Sequence, residues 1–171
     1  MAKYPQAVVF DLDYTIWPCW CDTHLSPPLK LEKAGGTRER PLVVDSYGYK
    51  LQVYPDVPRI LQELQDNGVQ IYSASRTAAP RIARDLLSHF RIDGYFEDSE
   101  WGQGSKVRHL KRLAERNKIA FSEMCLFDDE MRNKDVERDL GVKFLHIPSE
   151  RVGLTYEIFQ RGMESWRKAT K

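Results

Sequence analysis

Residues 7–13 read Ala-Val-Val-Phe-Asp-Leu-Asp. Four apolar residues without alternation predict a strand over 7–12 that is covered on both faces, as in a parallel sheet. The run closes on two acids separated by one residue. The same form recurs downstream: a buried strand over 69–74 is followed by Ser75-Arg76-Thr77, another over 124–127 by Asp128-Asp129, and a last strand is expected over 143–147. Helical spacing fills the intervals. Ile60, Leu61 and Leu64 mark a helix that Asp56 caps and Asn67-Gly68 ends, and Thr77 caps a second helix with Pro80 in its first turn and Ile82, Leu86, Leu87 and Phe90 on one face. Ser105 opens a third bearing Val107, Leu110 and Leu113, a short one ends at Gly141, and a last runs over 154–167. Strands alternating with helices predict an α/β fold with a doubly wound parallel sheet.

Residues 14–54 break this rhythm. The segment is rich in Pro and Gly and shows no helical pattern. Two β-rich stretches, 42–45 and 49–54, flank Ser46-Tyr47-Gly48 and suggest a small β-hairpin flap inserted into one domain spanning 1–171, with a plain linker as the other reading.

The chain has 171 residues, is 42% hydrophobic and 30% charged, and carries a formal net charge of +1. These values describe a soluble globular protein and argue against nucleic acid or a membrane as the main partner. The Lys and Arg residues between Arg108 and Lys118 read as the solvated face of a helix. Three cysteines leave an odd one over in any pairing, and Cys19-x-Cys21 with His24 lacks the second ligand pair of a zinc site. The N-terminal apolar run is too short for a signal peptide or a span. A cytoplasmic monomer, present in the nucleus as well or not, is the expectation.

Ligands of open parallel sheets bind at the carboxyl ends of the strands. There the sequence gathers Asp11 and Asp13, Ser75 and Arg76, and Asp128 and Asp129, with Lys106 at a helix start after Gly104-Ser105. Each acid taken singly reads as a helix cap, but capping does not require doubled acids at two strand ends together with a hydroxyl and a lysine. Acidic segments meeting in one crevice repel one another, and a hard divalent cation that shares its ligand sphere with a substrate phosphate removes the difficulty.

Phe10-Asp11-Leu12-Asp13-Tyr14-Thr15-Ile16 resembles the first motif of the haloacid-dehalogenase superfamily, Ser75 its second, Lys106 its third, and Leu126-Phe127-Asp128-Asp129 with Asn133 its fourth. The stretches FDLDYTIWP, DTH, ASRT, GSK and LFDDE are similar to the small eukaryotic magnesium-dependent phosphatases of that superfamily. The resemblance implies a Rossmann-like core and a phosphatase in which Asp11 is the nucleophile and Asp13 the acid and base. It also implies Mg2+ held by Asp11, the Asp13 carbonyl and Asp129, with Asp128 and Asn133 behind them. Ser75, Lys106 and, less directly, Arg76 would bind substrate. Asp13 favours phosphoryl transfer over dehalogenation, since the superfamily's dehalogenases lack a second acid there.

The intervals between Asp13 and Ser75 and between Ser75 and Lys106 hold no helical bundle, so no cap domain is expected. An open site admits a phosphorylated small molecule or a phosphoprotein, and the resembled phosphatases are associated with phosphotyrosine and with amine-linked sugar phosphates of the fructosamine 6-phosphate type. The flap and the loop at Trp101 are the expected leaving-group contacts, with Trp17, Trp20 and Trp101 as candidates to stack on a substrate ring or to pack internally. Two rivals use similar parts. A phospho-accepting receiver carries its adjacent acids after the first strand and its acceptor later, the reverse of the order here. A catalytically silent binding module would keep the scaffold without turnover.

Overall fold

The computed structural model describes residues 3–170. Five parallel strands form the central sheet: β1 (Ala7–Phe10), β5 (Gln70–Ser75), β6 (Asp98–Trp101), β7 (Met124–Asp128) and β8 (Lys143–His146), in the order β6-β5-β1-β7-β8. Between β1 and β5 come α1 (Cys21–His24), β2 (Lys30–Glu32), β3 (Leu42–Val44), β4 (Lys50–Leu51) and α2 (Val57–Asp66); α3 (Pro80–His89), α4 (Lys106–Asn117), α5 (Asp135–Leu140) and α6 (Tyr156–Ala169) complete the chain. Alternate strand residues serve opposite faces, as the period of two requires. Val8, Phe10, Ile71 and Phe127 pack with α2, α3 and α6, whereas Ala7, Val9, Tyr72 and Leu126 pack with α4 and α5. Both faces are thus covered, which is why β1 shows no alternation. The doubly wound expectation holds.

Register decides where the polar strand ends lie. Phe10 pairs with Phe127 and with Ser73, and the Asp11 amide donates to the Phe127 carbonyl at 2.9 Å. Asp11 therefore sits level with Asp128, and Ser75 stands at the end of the neighbouring strand.

The flap is larger and firmer than a lone hairpin. β2 joins β3 and β4 in a three-stranded antiparallel sheet, and Val43, Leu51 and Val53 are part of the main core. Asp45 ties its turn by accepting from the amides of Ser26, Tyr47 and Tyr49, each at 2.9 Å. The linker reading of this segment is excluded, and the segment also contains the one-turn α1 that its composition does not announce. Two expected caps act elsewhere. The Asp56 carboxylate makes no bond to its own helix and instead accepts from the Tyr156 amide at 2.9 Å, and the Thr77 hydroxyl accepts from the Ala79 amide in a turn ahead of α3, whose cap residue is Ala79. Ser105 does cap α4, accepting from Arg108.

Candidate active site

The turn after β1 builds the first wall. The Leu12 carbonyl receives the amides of Thr15 and Ile16 at 3.1 and 2.8 Å, and Tyr14 takes a left-handed φ of 58°, so the chain doubles back at once. This reversal delivers the indole of Trp17 to Asp13: Trp17 Nε1 donates to Asp13 Oδ1 at 2.7 Å, and the Cys21 amide donates to the same oxygen at 3.2 Å. Oδ2 is left for a proton or a substrate atom. Burial raises the Asp13 pKa, while the Trp17 and Cys21 bonds pull against that rise.

Behind it lies a buried ionic knot. Lys106 Nζ donates to Asp11 Oδ1 at 2.9 Å and to Asp128 Oδ2 at 2.7 Å. Asp128 Oδ2 also accepts from Asn133 Nδ2 at 2.9 Å, and Asp128 Oδ1 from the Glu130 amide at 3.0 Å. Asn133 Oδ1 in turn accepts from Arg76. Burial works against the Lys106 charge, but Asp11 and Asp128 together hold its pKa above the ordinary lysine value. Burial lifts Asp11 well above the usual carboxylate range; Lys106 opposes the rise and Asp128 adds to it. Burial likewise pushes Asp129 up to about 6.

Carboxylate oxygens of Asp11, Asp128 and Asp129 lie within 4.8 Å of one another. Three desolvated carboxylates against one ammonium leave excess negative charge, and the raised pKa values of Asp11 and Asp129 state the same imbalance. An oxygen-preferring dication fits this donor set. Apart from Asp129, whose oxygen belongs to this cluster, the expected site residues line a single pocket of about 210 Å³: Asp11, Asp13, Ser75, Arg76, Lys106, Asp128 and Asn133. Ser75 Oγ accepts from the Thr77 amide at 3.2 Å, which leaves its hydroxyl hydrogen free to donate. Among the described residues Arg76 makes no salt bridge, and its Nε is buried without a partner.

The outer wall comes from within residues 14–54, as expected, but from neither the hairpin tip nor the loop at Trp101. Trp20, Asp22 and Thr23, in and beside α1, line the pocket, together with Thr77 and Glu130, while Tyr47 and Tyr49 at the flap tip and Trp101 do not. Trp101 instead donates to Ser73 at 2.9 Å beside the Arg84 guanidinium, and Trp17 is fully buried. Only Trp20, 46% exposed and stacked on His24, borders the opening. The role of Trp17 on Asp13 was visible only as an i,i+4 pair of a donor and an acid; nothing in composition singled it out. The three cysteines are buried and unpaired, and burial raises each thiol's pKa.

Residues 3–169 match the family described as acid phosphatase. The chain is 40% identical over 169 residues to magnesium-dependent phosphatase 1 of Homo sapiens, covering 99% of this chain and 91% of that one. It is 41% identical over 152 residues to a HAD-like hydrolase superfamily protein of Schizosaccharomyces pombe, covering 84% and 86%. Among solved structures, the phosphatase domain of a Bacteroides fragilis protein complexed with Mg superposes with a TM-score of 0.63 at 17% identity, over 95% of this chain and 40% of that one. A haloacid dehalogenase-like hydrolase from Streptococcus pneumoniae gives 0.60 at 14%, over 98% and 92%. At these identities the structural likeness speaks for the fold alone.

Proposed function

The chain belongs to the acid phosphatase family and is a magnesium-dependent phosphatase of the haloacid-dehalogenase type, and from that premise we propose that it works through an aspartyl-phosphate on Asp11. The observation that carries this reading is the Lys106 ammonium shared between Asp11 and Asp128 in a pocket that Asp13, Ser75 and Arg76 also line. A carboxylate needs no deprotonation to attack. An Asp11 oxygen forms the bond to phosphorus as the bond to the leaving oxygen breaks, and Asp13 gives that oxygen its proton. Asp13, now a carboxylate, takes a proton from the water whose oxygen displaces Asp11 and frees phosphate.

Two of the three Lys106 N–H donors serve the carboxylates, and the third remains for a phosphoryl oxygen, with the Ser75 hydroxyl beside it. Asp11, Asp129 and the Asp13 carbonyl would hold Mg2+, with Asp128 and Asn133 fixing the lysine behind them. When bound, the ion screens the acids from the incoming dianion and offsets charge that develops on phosphoryl oxygens. The expected result for Asp11→Asn is turnover of an aryl phosphate below about a hundredth of the parent rate, with the fold intact. In acid-quenched parent enzyme, mass spectrometry should place phosphate on Asp11. Undiminished turnover by the variant, or label on another residue, would sink the assignment.

For the substrate we propose a phosphorylated protein side chain or an amine-linked sugar phosphate. The open mouth supports the first: Trp20 offers an aromatic face for phosphotyrosine. Asp22 and Glu130 at the same mouth support a cationic leaving group. The two are separable by kcat/KM. Trp20→Ala should penalise a phosphotyrosine peptide more than a sugar phosphate, and Asp22→Asn should do the reverse, each by about tenfold. Equal losses on both substrates would remove α1 from substrate selection.

A further inference from the structure

Away from the catalytic pocket, three distant segments build a second cleft, of about 460 Å³. Arg38 and Arg40 come from the flap, Arg59 from the first turn of α2, and Arg91 from the second position past the end of α3. Against these four cations the lining holds one acid, Glu39. Among the described residues none of the four arginines lies in an ion pair; the protein's salt bridges are formed by other side chains. The chain as a whole carries only +1, so the cationic character is local to this cleft.

Two of the arginines are held in place. Arg40 Nε donates to the Val53 carbonyl at 2.8 Å, and the Arg59 guanidinium lies 3.5 Å from the centre of the Tyr156 ring. Arg38 and Arg91 are exposed. Arg91 also occupies a backbone conformation that argues for a use. Its φ is +60°, at the position past a helix where glycine is the favoured residue. The floor between the cations is apolar: the exposed ring of Pro55 and the half-buried Pro58 and Tyr95 offer its surface, with Phe90 and Ile92 buried beneath them.

We propose that this cleft docks an acidic peptide segment of a partner protein, with one apolar side chain seated on Pro55, Pro58 and Tyr95 and carboxylates meeting the arginine rim. Charge complementarity selects an anion, and the apolar floor selects a peptide over a bare phosphate or a nucleic-acid backbone. Guanidinium forks bind carboxylates in pairs, and the fixed pair needs little ordering on association. This function is separate from the phosphatase chemistry, because none of the arginines lines the catalytic pocket.

The test is fluorescence anisotropy with the full chain and a labelled peptide of Asp and Glu flanking one Leu, at low ionic strength. Saturable micromolar binding that weakens with salt is expected. Arg38→Gln and Arg91→Gly should each weaken it about two- to fivefold, and the pair about tenfold. Replacing the peptide's Leu by Gly should cost about tenfold more. Arg91→Gly suits the left-handed position, so the variant keeps its fold, which unchanged turnover of a small aryl phosphate reports. Absence of saturable binding, equal affinity for the double variant, or tighter binding of an oligouridylate of the same charge that the same substitutions abolish would each overturn the proposal.

Discussion

Lys106→Met isolates the central electrostatic device of the site. The substitution keeps most of the side-chain length and removes the ammonium that lies 2.9 Å from Asp11 and 2.7 Å from Asp128. Asp128 is 1% exposed, so water cannot replace the lost cation there, and Asp11 at 8% is reached only from the pocket. Removing one partner of a buried pair costs about 3–5 kcal/mol. For a domain of this size each kcal/mol is about 2–4 °C, which predicts a Tm lower by about 6–20 °C in chelator at pH 8. The deficit has a sign in pH. Without Lys106 the folded-state pKa of Asp11, already raised by burial, rises further above its unfolded value. The folded variant then binds protons that the unfolded chain does not, so stability relative to the parent is recovered as pH falls and lost as pH rises. Mg2+ should also restore part of it, since a ligand at a hundred times its Kd adds about 2.7 kcal/mol. Urea unfolding followed by tryptophan fluorescence, with chelator and with Mg2+ from pH 5 to 8, measures all three effects. A variant within about 1 kcal/mol of the parent at pH 8 in chelator, or one whose deficit grows on acidification, would refute the account.

Trp17→Phe should leave Asp13 with one donor fewer and move the limb of the pH–rate profile governed by that acid upward by about one unit, because the lost bond favoured the carboxylate; an unmoved limb would detach Trp17 from catalysis. His109 has a buried, unpartnered Nδ1 and a pKa lowered to about 4 by burial and then by Lys106, so it stays neutral in the fold. Its folded pKa lies below the unfolded value, so its contribution to stability is present above pH 6.5 and declines toward pH 4, with a ceiling of about 3 kcal/mol that His109→Gln should abolish; parallel pH–stability curves would contradict this. Gly153 has φ +62°, and a Cβ there would come within 2.2 Å of the Tyr54 ring. Gly153→Ala should therefore cost about 2–4 kcal/mol by thermal unfolding, and a loss under about 1 kcal/mol would mean the loop yields easily.

The parts of the site that could be read from the residues are those attached to buried strands. A strand covered on both faces must be a continuous apolar run, and such a run ends visibly where the chain meets the crevice. Asp11, Ser75 and Asp128 are found by that logic, and Lys106 by the Ser105 cap one residue earlier. The outer wall obeys no such periodicity. Its placement depends on Tyr14 adopting a left-handed conformation, which a bulky residue takes rarely and no pattern announces. Trp17 consequently looked like a stacking candidate when its indole is committed to Asp13. The same limit explains β2, three residues paired only at one edge, and the arginine cleft, whose cations lie 21 and 32 residues apart from Arg38 to Arg59 and from Arg59 to Arg91. Asp56 and Thr77 mislead for a different reason: a side-chain oxygen beside a helix start satisfies whichever amide the fold brings to it.

This division has a mechanical consequence for how one site reconciles chemistry with substrate choice. The groups proposed to touch phosphorus stand on strand ends and helix starts that are locked by register and by the Lys106 and Asn133 bonds, so their spacing cannot adapt to a leaving group. Adaptation must come from what surrounds the mouth. With Tyr47 and Tyr49 outside the pocket lining and the flap's inner face fixed in the core, the side chains of Trp20, Asp22 and Thr23 in and beside the short α1 remain free to vary, whereas buried Cys21 is committed to the core and to Asp13. The helix is held to the Thr77–Ala78 segment by the Asp22 carboxylate, which accepts from the Ala78 amide at 3.1 Å, and by the contact of Cys21 Sγ with Thr77 Oγ1 at 3.5 Å. These ties are few and weak beside the ionic knot below them. Changes at Trp20, Asp22 or Thr23 should therefore move substrate ratios while leaving phosphoryl transfer from a small aryl ester nearly untouched, whereas changes at Lys106 or Asn133 should lower every substrate together.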